Sequence, residues 1–372
     1  MTSTDEHARE TALLLDIGQT LWAGGLPAGI SVPHDLDWGY FLDQAYRHRM
    51  MGLCRLTLFG DGGENERLRH RGLYDLWYRV TARNNAAILR ETGRILAALR
   101  AAGVDVVVRK GPALLELVYQ DPGTRQMSDL DLLLRPGSER KFQSVLDDLG
   151  YLPGTVSRDR KEVIPNDRQV EIAWRLHTYN LPPMHRLTGD PVQPSIMVDP
   201  ARAIFLPNSG FTLPAGHLLD SAVTIDSETA GALPVLAPHH MVIDLCGHLH
   251  KESTSLRYLR RGKHQRLTQY LDVLGYLRRV SLDWDELLAC CARYRLARPV
   301  YFAFVNAQRL YPEAPIPAEV VAELGRQDGL TVEYADTYAQ LDLQVPLRWD
   351  QDLRTRLFTS GIEPFPATRS LV

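Results

Sequence analysis

The hydrophobic pattern of this chain changes period at Gly103, and that change sets the fold class. Over residues 8–102 apolar side chains recur at helical steps, as in Leu73, Leu76, Trp77 and Val80, then Ile88, Ile95, Leu96 and Leu99. This is the spacing of amphipathic helices. The GDGGEN stretch at residues 60–65 interrupts it and reads as a loop between two helices. Gly103 ends a helix, since glycine tolerates the left-handed conformation that closes a last turn. Residues 104–108 (VDVVV) then form a short run rich in β-branched residues, which predicts a buried strand.

After that strand a helix is expected over residues 112–119, with Pro112 in its first turn where a missing amide donor is harmless. A DPG turn at 121–123 leads to SDLDLLLR, a second strand, and Pro136 opens a helix that ends at Gly150. QVEIAWRL at 169–176 alternates and reads as a third strand. Residues 181–238 are dense in proline and glycine and are expected to be irregular, with short strands near 203–206 and 233–236. Helical periodicity returns at His239, with Trp284, Leu287 and Leu288 on one stripe and Val300, Phe304 and Ala307 on another. The fold class is therefore α+β: a small mixed-sheet core, residues 103–238 with an irregular β extension, between helical regions at 1–102 and 239–372.

Bulk properties narrow the function. With 372 residues, 45% of them hydrophobic, the chain can bury a large core. A net charge of −3 gives no general attraction to phosphate backbones and argues against a nucleic-acid partner. The polar start MTSTDEHARE is unlike a secretory signal, and no apolar run has the length of a membrane span, so a cytoplasmic protein is expected. Cys54, Cys246, Cys290 and Cys291 lack the two-residue spacing of zinc ribbons and thiol oxidoreductases, and read as reduced core residues.

The sharpest chemical feature is Asp129-Leu130-Asp131. Residues two apart on a strand share a face, so both carboxylates project together, and two like charges so close raise a pKa or need a cation, commonly a hard divalent one. Glu171, between Val170 and Ile172, is the candidate third carboxylate, and three carboxylates on adjacent strands suit metal-dependent phosphoryl or nucleotidyl transfer. Lys110 and Gly111, between strand and helix, and Arg125, in the turn ahead of the aspartates, are candidate phosphate contacts. Two other groups fit either structure or function. His239, His240, Asp244, His248 and His250 crowd one segment, with His240, Asp244 and His248 spaced four apart near one helix face. Arg257, Arg260, Arg261, Lys263 and Arg266 form a basic run that fits a solvated face or an acidic ligand.

The stretch VVVRKGPALLELVYQDPGTRQMSDLDLLLR resembles the uncharacterised nucleotidyltransferase family of the DNA-polymerase-β-like superfamily, with its strand, Lys-Gly, helix, Tyr-x-Asp-Pro-Gly-x-Arg turn and Ser-Asp-x-Asp-Leu-Leu. The resemblance extends over residues 36–312, through the helix bearing Asn84 and Asn85, VEIAWRLH, HHMVIDLCGHLHKE and LTQYLDV. It implies transfer of a nucleoside monophosphate from an NTP, with ATP expected, to a hydroxyl or phosphate of a small-molecule or peptide acceptor, in a setting such as natural-product biosynthesis. It also implies Asp129, Asp131 and Glu171 as catalytic ligands of Mg²⁺ or Mn²⁺, with Lys110, Gly111, Arg125 and Ser128 at the nucleotide. His240, Asp244, His248, Arg257 and Arg261 would be acceptor or phosphate contacts. Two positions depart from the pattern: Pro112 stands where the superfamily has serine after glycine, and Ala173 where relatives carry histidine before tryptophan. The rival readings are a non-catalytic nucleotide- or peptide-binding module of the same fold and a zinc-dependent hydrolase centred on residues 239–250.

Overall fold

A computed structural model describes residues 6–23, 32–33, 35–59, 69–260, 266–340 and 342–359. The loop expected at 60–65 and the basic residues Arg261 and Lys263 lie outside the described residues. The chain divides into two compact units, one of Met1–Arg71, Leu245–Arg278 and Ala297–Val372, the other of Gly72–Asp244 with Arg279–Leu296.

The second of these units holds the sheet. Its elements are α1 (Arg71–Ala101), β1 (Val106–Val108), α2 (Gly111–Leu114), β2 (Leu130–Leu134), α3 (Glu139–Asp148), β3 (Leu152–Val156) and β4 (Val163–Pro165). There follow α4 (Arg168–His177), β5 (Met184–Leu187), β6 (Ser195–Ala201), α5 (Ala215–Asp220), β7 (Val223–Ser227), β8 (Gly231–Val235), the start of α6 (Pro238–Thr254) and α7 (Trp284–Tyr294). The eight strands lie in the order β4-β3-β5-β6-β2-β1-β8-β7. β1 pairs antiparallel with β2 and parallel with β8, while β2 pairs parallel with β6, so the sheet is mixed. Every residue of β1 and β2 is buried, which is why both read as continuous apolar runs rather than alternating ones. Asp131 is the single charged residue in either.

The sequence expectation holds for β1, β2 and the helices around them, and two stretches differ. Residues 181–238, expected to be largely irregular, supply β5, β6, β7 and β8, and so make the sheet larger than expected. The strand expected at 169–176 is instead the helix α4. Asp167 caps it, its carboxylate accepting the Val170 N–H at 2.8 Å, and that capping bond favours a first helical turn over an extended chain. The alternation that suggested a strand leaves Val170 39% and Ile172 46% exposed on this helix.

The long helix α1 is the scaffold for the loop that precedes β2. Buried Asn85 donates through Nδ2 to the carbonyls of Pro122 and Arg125, each at 2.7 Å, and its Oδ1 accepts the Met127 N–H at 3.3 Å. About two turns earlier, the Tyr78 hydroxyl donates to Asp121 at 2.8 Å, and the Tyr78 ring lies so close to Gly123 that a Cβ there would overlap it. Near the far end, a Cβ at Gly93 would come within 2.6 Å of the Ala230 carbonyl oxygen, so glycine lets α1 approach the β7–β8 turn.

The other unit is helical. Its helices include Ala8–Gln19, Trp38–Arg47, Met51–Leu58, Ala297–Leu310, Ala318–Asp328 and Leu353–Phe358, with a two-stranded pairing of Thr337–Tyr338 and Leu347–Arg348. Buried His48 ties two of its segments together, accepting the Leu267 N–H at Nδ1, 3.0 Å away, and the Thr268 hydroxyl at its carbonyl. No helix among the described residues is long and apolar enough to cross a membrane.

Replacing Asn85 with alanine strips three loop groups of their partner inside a buried setting. Asn85→Ala is expected to cost about 1–3 kcal/mol of stability, the usual penalty for leaving buried polar groups unsatisfied. Urea unfolding of parent and variant measures it; an unchanged midpoint would show that the loop is held by other contacts.

Candidate active site

β2 begins one residue after Asp129, so Asp129 and Asp131 emerge two residues apart at the start of a buried strand. Parallel pairing brings a third acid beside them: Asp131 is in direct register with Asp199 of β6. In-register residues on neighbouring strands project from the same face. One carboxylate oxygen of each of Asp129, Asp131 and Asp199 lies within 4.8 Å of one from each of the others. Asp131 is buried, and the other two are half-buried.

The surroundings of this trio are cationic and polar in a fixed way. Lys110 Nζ sits 3.2 Å from Asp131 Oδ2, the Ser128 hydroxyl donates to Asp129 Oδ1 at 3.0 Å, and the Asn180 amide donates to Asp199 at 2.5 Å. Burial pushes the Asp199 carboxyl up to about 7. The charge of Asp131 adds to that rise, Asn180 opposes it, and smaller contributions come from Asp129 upward and Lys110 downward. The donor set is all oxygen and its charges repel, so it fits a hard divalent cation such as Mg²⁺ or Mn²⁺.

The expected third carboxylate is therefore not where the structure gathers acids. Glu171 lies on α4 and lines a cavity of about 290 Å³ together with Glu139, Arg140, Pro153, Pro200 and Arg202. Asp199 occupies the position beside Asp131. Its signal in the sequence, an aspartate inside the apolar run SIMVDPA, was available but sat in the stretch read as irregular.

The remaining candidates separate into those near the trio and those used elsewhere. Lys110 and Gly111 are beside it: a Cβ at Gly111 would stand 3.2 Å from Met127 Sδ and 3.5 Å from the Asp129 carbonyl oxygen. Arg125 is half-buried in the α1-supported loop, its guanidinium 5.8 Å from the centre of the Tyr119 ring. Asp244, expected as an acceptor or phosphate contact, is engaged by another side chain. It is buried and forms a bidentate ion pair with Arg109, which sequence reading missed, through Nε at 3.0 Å and a short bond from Nη2. Burial opposes the Arg109 charge, and Asp244 more than offsets that and holds its pKa above the ordinary value. The backbone N–H of Arg109 donates to the Asp131 carbonyl at 3.1 Å, so this buried pair anchors the strand end that carries Lys110.

His240, expected as an acceptor or phosphate contact, is fully buried. His248 Nε2 lies 3.4 Å from Glu252 Oε1, four residues on, and Arg257 is exposed on the short helix Leu256–Leu259. Both belong to the helical unit, and Arg261 lies outside the described residues.

Residues 34–312 match the family described as uncharacterised nucleotidyltransferase. No curated protein matches. Among solved structures, the chain is similar to an antigenic nucleotidyltransferase-like protein from Paracoccidioides brasiliensis, with 10% identity and a TM-score of 0.34 over 66% of this chain and 93% of that one.

The raised Asp199 carboxyl has a definite sign for stability. A carboxyl that binds its proton more tightly in the folded state loses stabilisation as pH rises from about 4, the unfolded value, to about 7. Asp199→Asn is therefore expected to raise Tm relative to the parent at pH 8 in EDTA, with the advantage fading toward pH 4. Thermal unfolding across that range checks it; a Tm difference independent of pH would show that Asp199 is an ordinary surface carboxylate.

Proposed function

Since the chain belongs to the uncharacterised nucleotidyltransferase family, we propose that it transfers a nucleoside monophosphate from an NTP, ATP in the first instance, to a hydroxyl or phosphate of a small-molecule or peptide acceptor. The observation that carries this reading is the convergence of Asp129, Asp131 and Asp199 beside Lys110. Mg²⁺ or Mn²⁺ held by these carboxylates would neutralise the triphosphate and favour the deprotonated acceptor oxygen.

The chain's own groups then have separate tasks. Asp129 and Asp131 present adjacent oxygens at a strand start that the buried β2 and the Arg109–Asp244 pair hold rigid. Lys110, which neutralises Asp131 in the absence of nucleotide, is the cation within reach of the triphosphate once the acids are engaged. Buried Gly111 lets the chain after Lys110 pack close to Met127 and the Asp129 carbonyl, where a side chain would press on Met127. Asp199 completes the oxygen set and, in register with Asp131, is the group placed to take the acceptor's proton. In the reaction the acceptor oxygen bonds to the α-phosphorus, the bond from that phosphorus to the β-phosphate bridging oxygen breaks, and pyrophosphate leaves with that electron pair.

The test needs binding and turnover. Mg²⁺ together with an NTP is expected to raise Tm more than either alone, because the two bind the native state jointly. Asp129→Asn and Asp199→Asn should each lower pyrophosphate release with a panel of acceptors by roughly 10²–10⁴-fold, while Glu171→Gln keeps the parent rate. Loss of release in Glu171→Gln with retention in Asp199→Asn would transfer the third-ligand role to Glu171. No joint effect of Mg²⁺ and NTP on Tm would remove the reading altogether.

A further inference from the structure

The sheet unit contains a second group of converging ligand atoms, and its chemistry differs from that of the acids. His239 and His240 open α6, and Cys290 lies on α7. All three are buried, and one ligand atom of each lies within 4.8 Å of one from each of the others. The two imidazole rings have their centres 3.9 Å apart.

Hydrogen bonding decides which nitrogens are available. Ser221 donates its single hydroxyl proton to the His217 carbonyl at 2.8 Å. In the tautomer that carries the ring proton on Nδ1, His240 donates to Ser221 Oγ across their 3.0 Å contact and leaves its lone pair on Nε2. His240 Nε2 is buried with no hydrogen-bond partner, an unsatisfied acceptor in a side chain with no exposed surface. His239 Nδ1 lies 3.2 Å from Glu286 Oε2, an arrangement in which the ring donates to the carboxylate and likewise turns its lone pair to Nε2. Glu286 is itself positioned in the first turn of α7, its N–H donated to the Asp283 cap at 3.0 Å. Metal-bound histidines characteristically carry such a partner on the other ring nitrogen, which fixes the tautomer and the ring.

We propose that His239, His240 and Cys290 bind a Zn²⁺ ion that cross-links α6 to α7, with a water molecule in the fourth position. Two imidazoles and one thiolate are a borderline-soft set that favours Zn²⁺ over the hard cation of the aspartates. Binding would displace the Cys290 thiol proton. This site is independent of the carboxylate reading and makes no use of Asp129, Asp131 or Asp199.

The experiment uses the full chain, stripped of metal with a chelator and then titrated with Co²⁺ as a spectroscopic probe and with Zn²⁺ by calorimetry. The expected result is one tightly bound equivalent, a thiolate-to-cobalt charge-transfer band, and a Zn²⁺-dependent rise in Tm. Cys290→Ser should lose the band and the rise in Tm, whereas Cys291→Ser and Asp129→Asn should keep both. Because serine is close to cysteine in size, folding of Cys290→Ser is checked by its metal-free Tm; if that variant does not fold, His239→Gln takes its place, with weakened binding expected. Absence of a stoichiometric Zn²⁺ equivalent, or a charge-transfer band that survives Cys290→Ser, would overturn the proposal.

Discussion

The buried pair between Arg109 and Asp244 is the interaction on which the site's geometry depends. A guanidinium and a carboxylate with almost no exposed surface are costly to bury, and removing one partner of such a pair typically costs 3–5 kcal/mol because the other charge is stranded. That penalty enforces two placements at once. It sets the rotation of α6, one turn after His239 and His240, and it turns Arg109 inward so that the next residue, Lys110, points to Asp131. The N–H of Arg109 also closes the ladder onto the Asp131 carbonyl, so the end of β1, the start of β2 and the start of α6 are set by one residue.

The fold was legible where local pattern and tertiary setting agree. β1 and β2 are fully buried, so their apolar runs carried the strand signal undiluted, and the two aspartates stood out because charge inside such a run has few explanations. The Lys-Gly step and the loop before β2 were readable for a similar reason, since glycine at 111 and 123 answers to steric crowding by Met127 and Tyr78.

Where the two disagree, the sequence misled. Residues 168–177 alternate as a strand does, yet a capping aspartate and a free run of helix-compatible residues make α4, leaving two apolar side chains in solvent. β6 hid for the opposite reason. Pro200 follows Asp199 within the strand, and proline inside a paired strand argues against one because it has no N–H to give. The Pro200 carbonyl nevertheless accepts the Leu181 N–H at 2.7 Å, and β6 stays between β5 and β2. The Arg109–Asp244 pair was invisible for a simpler reason: its members are 135 positions apart, and no local pattern marks a charge as buried.

The strand order also sets a timetable for synthesis. β1 and β2 can form their hairpin as soon as they leave the ribosome, but their outer neighbours, β8 and β6, are encoded far downstream. At ordinary elongation rates of about 5–20 residues per second, the most apolar strands wait on the order of ten seconds for β8. Until then both long edges of the β1–β2 hairpin are unpaired, and such edges invite pairing with other nascent chains. Asp131, the one charged residue of those two strands, is a charge that an intermolecular sheet would have to bury without Lys110's ammonium beside it. A lone carboxylate at such an edge makes pairing with another chain costlier than an all-apolar edge would.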